Sequence, residues 1–139
     1  MNTLSAAVIA ATLMFTASVP QQARADVVVI VSAENTTASA LTVNQIARIF
    51  EGKSNTLTPV DILRPSQARR EFYAKVVGSD DVLVRANWSR LIFTGKGTQP
   101  KELPSGAEVV KAVAADPNAI GYVDRSFVNM TVKVIYTVK

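Results

Sequence analysis

Five consecutive β-branched residues, Val27-Val28-Val29-Ile30-Val31, constrain the fold of this sequence more than any other feature. Such side chains are stiff at χ1 and fit a pleated surface. A strand with one wet face alternates apolar and polar residues. An unbroken apolar run instead reads as a strand buried on both faces, as in α/β sheets.

The segments that follow supply helices to cover such a sheet. Ser32 to Ala40 is small and polar and reads as a loop. Thr42 with Gln45 three residues on is a capping box. Val43, Ile46, Ala47, Ile49 and Phe50 then form a helical stripe that Gly52 stops. Val60 to Leu63 is a second short strand. Ser66 caps a helix from about Gln67 to Val77, which buries Phe72, Val76 and Val77 and ends at Gly78. Ser79 caps another helix, with Asp80 and Asp81 set against its N-terminal dipole. Its apolar residues Val82, Leu83, Ala86, Leu91 and Ile92 continue it towards Gly95. Trp88, the only tryptophan, lies on this helix among Leu83, Val84, Leu91 and Ile92 and is expected to be buried against the sheet or a neighbouring helix. Thr94 to Pro104 reads as a loop containing Gly and Pro. Ser105 with Glu108 opens a helix to Ala115, which Asp116-Pro117-Asn118 breaks. Ile120 to Val123 and Thr131 to Val138 are the last strands. The order β-α-β-α-α-α-β-β defines an α/β layered domain with a mixed sheet.

Composition narrows the chemistry. The 139 residues suit one domain, and 48% hydrophobic against 19% charged residues is globular, not disordered. There is no cysteine, which removes disulfides, thiolate metal sites and cysteine nucleophiles; there is no histidine, which removes Ser–His–Asp triads and imidazole ligands. No catalytic residue, metal site or cofactor is expected. Glu34, Glu51, Asp61, Glu71 and Asp124 show no spacing that singles out a glycosidase pair and read as caps or surface charges. Thr94-Gly95-Lys96-Gly97 lacks phosphate-loop spacing and reads as the turn after a helix. The N-x-[ST] triplets at Asn35, Asn87 and Asn129 read as coincidence. The formal net charge of +4 is carried by scattered residues, which argues against nucleic acid and suits a small anion.

The first 25 residues read as a signal peptide. Ala6 to Val19 is apolar and uncharged, too short to span a bilayer comfortably, and Ala23-Arg24-Ala25 has the small-x-small pattern of a cleavage site. Cleavage before Asp26 removes only Arg24 among the charges. Residues 26–139 then form the domain, with a net charge of +3 and the periplasm as the expected location.

Two strand-to-helix transitions are candidate anion sites. Ser32 follows the first strand and Ser66 opens a helix just after the second. Free N–H groups and the helix dipole at such a point attract anions. The candidate ligand-binding set is Ser32, Arg64, Ser66, Gln67, Ala68 and Arg69: the serines through their hydroxyls, Gln67 and Ala68 through main-chain N–H groups, the arginines through guanidinium. Arg69 and Arg70 stand in the first helical turn, where the dipole disfavours a cation unless an anion offsets it. The same residues also read as a plain helix cap beside a solvated basic face.

Several segments together resemble one family. Leu41-Thr42 through Gln45-Ile46-Ala47-Arg48-Ile49-Phe50-Glu51-Gly52-Lys53 resembles the L-S-x-x-Q-L-x-x-I-F-x-G-K segment of phosphate-type ABC-transporter substrate-binding proteins. Phe72-Tyr73, the run Trp88 to Gly97 and Pro100 are similar to short members of that superfamily. Val110 to Val123 is similar to its V-x-x-V-x-x-x-P-G-A-I-G-Y-V signature. The match runs in order over nearly all of Val27 to Val134. The resemblance implies a type II periplasmic-binding-protein fold, of which this chain supplies a single lobe, its mixed sheet flanked by helices. It also implies phosphate or a similar oxyanion as ligand, and a transporter permease or a second lobe by dimerisation as partner. Where full-length members carry an Arg and then Gly-Ser-Gly-Thr, this sequence has Arg64-Pro65-Ser66-Gln67-Ala68. Arg64 and Ser66 keep their places, but the glycines that bring backbone close to an anion are gone. A module that kept the fold and lost the ligand, binding a protein partner instead, is the other expectation.

Overall fold

The computed structural model describes residues 26–79, 81–97 and 99–139, so the expected signal peptide lies outside the described residues. Strand β1 (Val27–Ser32) is followed by helix α1 (Val43–Phe50), strand β2 (Thr58–Ile62) and helix α2 (Gln67–Phe72). α2 continues as a π-helical turn over Tyr73–Val77. Helix α3 (Asp81–Phe93), strand β3 (Lys101–Leu103), helix α4 (Gly106–Ala115), strand β4 (Ala119–Asp124) and strand β5 (Val132–Thr137) complete the order.

The strands form one sheet in the order β3-β2-β4-β1-β5. β2 runs parallel to β3 and β4, while β1 runs antiparallel to both of its neighbours. As its composition requires, β1 is buried along its whole length, with Val27 to Val31 no more than 1% exposed.

Helices cover both faces. Successive residues of β4 point to opposite sides. On one side Tyr122 meets Phe50 of α1 and Phe72 of α2. Its ring stacks on that of Phe72 at 4.1 Å between centroids, and Phe50 meets Phe72 edge-on at 4.6 Å. On the other side Gly121 lies under α4, where a Cβ would come within 2.8 Å of Val109 Cγ1 and 3.1 Å of Val113 Cγ2.

Local signals set the helix starts. Gln45 N–H donates to Thr42 Oγ1 (3.2 Å) and Thr42 N–H to Gln45 Oε1 (2.7 Å), which completes the predicted capping box. Ser66 Oγ accepts from Arg69 N–H (3.1 Å), and Ser105 Oγ from Glu108 N–H (3.3 Å). Trp88 is buried as expected, and its indole N–H donates to Phe50 O (2.9 Å). Asn87 Nδ2 donates to Glu51 O and Asn35 Nδ2 to Pro117 O, so both amides tie segments together.

Two expectations are corrected. Thr94 to Pro104 is not all loop, because Lys101–Leu103 adds a short parallel edge strand beside β2. Asp61 is no surface charge or cap; it is 3% exposed. The apolar residues of α3 do not share one inward face. Val84, Trp88 and Leu91, at i, i+4 and i+7, pack inward, while Val82, Leu83, Ile92 and Phe93 are exposed. No described helix is long and apolar enough to cross a membrane.

Candidate functional site

The site is built at the carboxyl end of β2. Asp61 points from that strand into the aromatic layer. Tyr73 Oη donates to Asp61 Oδ2 (2.5 Å), and Tyr122 Oη donates to Asp61 Oδ1. Arg69 reaches in from α2, with Nη1 3.7 Å from Asp61 Oδ1, donating to Ile62 O (2.8 Å) and to Glu102 Oε1 (3.3 Å). Its guanidinium carbon lies 5.1 Å from the Tyr73 ring centroid. Burial pushes the Asp61 carboxyl above its ordinary range, and Arg69 with the two tyrosine hydroxyls pulls the other way. Burial and the Asp61 charge also raise the Tyr122 phenol far above its ordinary value.

Arg69 is therefore not an exposed cation waiting for an anion. Sequence placed it in the first turn against the dipole; the structure offsets it with two carboxylates and leaves it 5% exposed.

Outside this buried cluster two cavities meet at Pro65 and Ser66. The larger, about 430 Å³, has Arg64, Arg69 and Arg70 in its wall with Ser66 and Ser79; Tyr73, Ala74 and Pro65 complete it. The smaller, about 200 Å³, lies between the starts of α2 and α4 and includes Gln67, Ala68, Ser105, Gly106 and Asp124. Partial burial, with Glu71 nearby, pushes the Asp124 carboxyl above its usual range.

The candidate set is thus divided. Arg64 and Arg69 belong to the larger cavity, Gln67 and Ala68 to the smaller, and Ser66 to both. Ser32 belongs to neither. Because β1 runs against β4, and β4 runs with β2, Ser32 stands past the Val31–Ile120 pair at the opposite end of the sheet from Ile62. It is 1% exposed, and its Oγ accepts from Glu34 N–H (3.2 Å) in a local turn. A strand buried on both faces carries no sequence signal for its direction, so the sequence does not separate the two carboxyl ends. Arg70, Tyr73 and Ser79 complete the larger cavity without having been in the set. The signal for the first two was present: Ser66, Arg70 and Tyr73 stand at i, i+4 and i+7, one face of a helix.

No protein-family model and no curated protein matches this sequence. Solved structures do. The chain has the fold of one lobe of a type II periplasmic binding protein, a five-stranded mixed sheet between helices. One similar structure is described as a phosphate ABC transporter substrate-binding protein with bound phosphate from Clostridium perfringens. It has 20% identity and a TM-score of 0.63 over 79% of this chain and 44% of that one. An ABC-type phosphate transport receptor from Vibrio cholerae aligns at 17% identity and TM-score 0.62, over 79% and 45%. PstS from Borrelia burgdorferi aligns at 13% identity and TM-score 0.57, over 79% and 46%. The chain spans less than half the length of these proteins.

Proposed function

We propose that this chain is an exported, non-enzymatic module that binds a small oxyanion of the phosphate class and works with ABC-type uptake. The observation that carries this reading is the arginine-walled cavity beside Ser66 at the carboxyl end of β2. Guanidinium groups match oxyanions in a bidentate geometry. Gln67 and Ala68 stand in the first turn of α2, where N–H groups lack a carbonyl partner within the helix. An anion at Ser66, where the two cavities meet, lies within the reach of both sets of donors. Two of the similar structures are of phosphate transport proteins, which supports the same ligand class. A permease, or a second lobe supplied by another copy, is the partner such a single lobe requires.

Calorimetry with phosphate and sulfate tests this reading. Saturable binding is expected, weakened about tenfold or more in Arg64→Ala by loss of one charge-assisted contact, and weakened further by added salt. Absence of saturable binding in the wild type overturns it. The other reading, an adaptor that binds a protein, then gains ground; it is favoured by α3, where Phe93 is 92% exposed and Val82 70%.

Export carries its own prediction. Intact mass of protein recovered from the periplasm is expected to begin at Asp26, and a mass that retains Met1 to Ala25 refutes processing at this site.

A further inference from the structure

We infer that the anion taken by the larger cavity is an organic one, a phosphate or carboxylate joined to an aryl-sized apolar body. This rests on the anion-binding reading above and names the class of ligand within it.

Size is the first argument. An inorganic oxyanion has about five non-hydrogen atoms; at no more than roughly one water's share of ~30 Å³ each, it fills about a third of a cavity of this volume. The cavity's approximately 430 Å³ falls instead among those that enclose small organic ligands.

The second argument is the distribution of chemistry around the wall. Tyr73 lines the cavity, yet its hydroxyl is committed to Asp61 Oδ2 at 2.5 Å, so the cavity meets its ring. Arg69 also lines it, but its charge is offset by Asp61 and Glu102, and its guanidinium lies over the Tyr73 ring at 5.1 Å. Tyr73 is 3% and Arg69 5% exposed, so together with Pro65 and Ala74 they back a wall that is mostly apolar. Charge and hydroxyl donors come from Arg64, Arg70 and Ser66. A bare oxyanion leaving water needs hydrogen bonds on all sides, and much of this wall is apolar. A ligand with one anionic end and one flat apolar end satisfies both parts, because guanidinium and aromatic planes stack on such bodies.

The test is titration of the whole chain with inorganic phosphate, phenyl phosphate, benzoate and phenol. Phenyl phosphate is expected to bind at least tenfold more tightly than phosphate, since removing about 60 Å² of aryl surface from water is worth a factor of about ten. Benzoate is expected to bind and neutral phenol to give no saturable signal. Ala74→Trp places an indole in the cavity from an exposed helical position. It is expected to abolish the preference for phenyl phosphate over inorganic phosphate. Ala74→Glu at the same position is expected to weaken both anions, which reports on the cavity should the larger side chain disturb folding. Equal affinity for phosphate and phenyl phosphate, or a preference that survives Ala74→Trp, overturns the inference and leaves the anion-binding reading standing. Absence of binding by every anion overturns both.

Discussion

Asp61 occupies the position where one side chain holds three elements. It accepts hydrogen bonds from the hydroxyls of Tyr73 beyond α2 and Tyr122 on β4, and stands 3.7 Å from the Arg69 guanidinium. An amide replaces one of the two oxygens that accept from the tyrosines, while Arg69 keeps Glu102, so Asp61→Asn is expected to lower stability by about 1–3 kcal/mol in urea unfolding. The pH dependence has a definite sign. The native carboxyl holds its proton more tightly than the unfolded one. Its contribution therefore favours folding most below the ordinary carboxylate pKa and is lost as pH rises through the native value. Relative to Asp61→Asn, the wild type is expected to lose stability as pH rises from about 4, and a difference curve with the opposite slope refutes the assignment. Little of this was legible beforehand. A lone aspartate in a short strand reads as a surface charge, because the tyrosines and arginine that satisfy it lie eight or more residues away in sequence. Trp88 was legible, since a large apolar ring on a helix has few other places to go.

At the scale of elements, chain-local signals were read correctly and pairing signals were not. Thr42, Ser66 and Ser105 marked three helix starts because a cap acts on N–H groups two or three residues away. β3 gave no such mark. Lys-Glu-Leu has no strand character of its own and is extended because β2 offers it a parallel partner. α3 shows no buried line in its sequence, because its apolar residues surround it, and contacts with Gly52 and Phe50 decide which line faces inward. The packing of α4 on the sheet gives a direct test. Gly121→Ala puts a methyl against Val109 and Val113 and is expected to cost about 1–3 kcal/mol. Val109→Ala added to it is expected to recover part of that loss, although alone it destabilises. Thermal unfolding of both single variants and the double variant measures the coupling, and strict additivity shows the two do not touch.

For the whole molecule, the decisive feature is the place of β1 between β4 and β5. The mixed sheet was expected, but the strand order was not, since order is a property of contacts far apart in sequence. Deleting residues 132–139 removes β5 and bares an apolar edge of β1. The shortened chain is expected to self-associate on size-exclusion chromatography and to lose its cooperative thermal transition. A monomeric, cooperatively folding product shows that β5 is dispensable.

This arrangement also sets a timetable. β1 is made early by the ribosome, yet the strands on either side of it come roughly ninety residues and more later. Until they emerge, five adherent residues have no partner within the chain. Such a delay keeps the sheet unsealed while the chain grows, and the strand that starts the domain becomes an interior strand only when the last strand arrives.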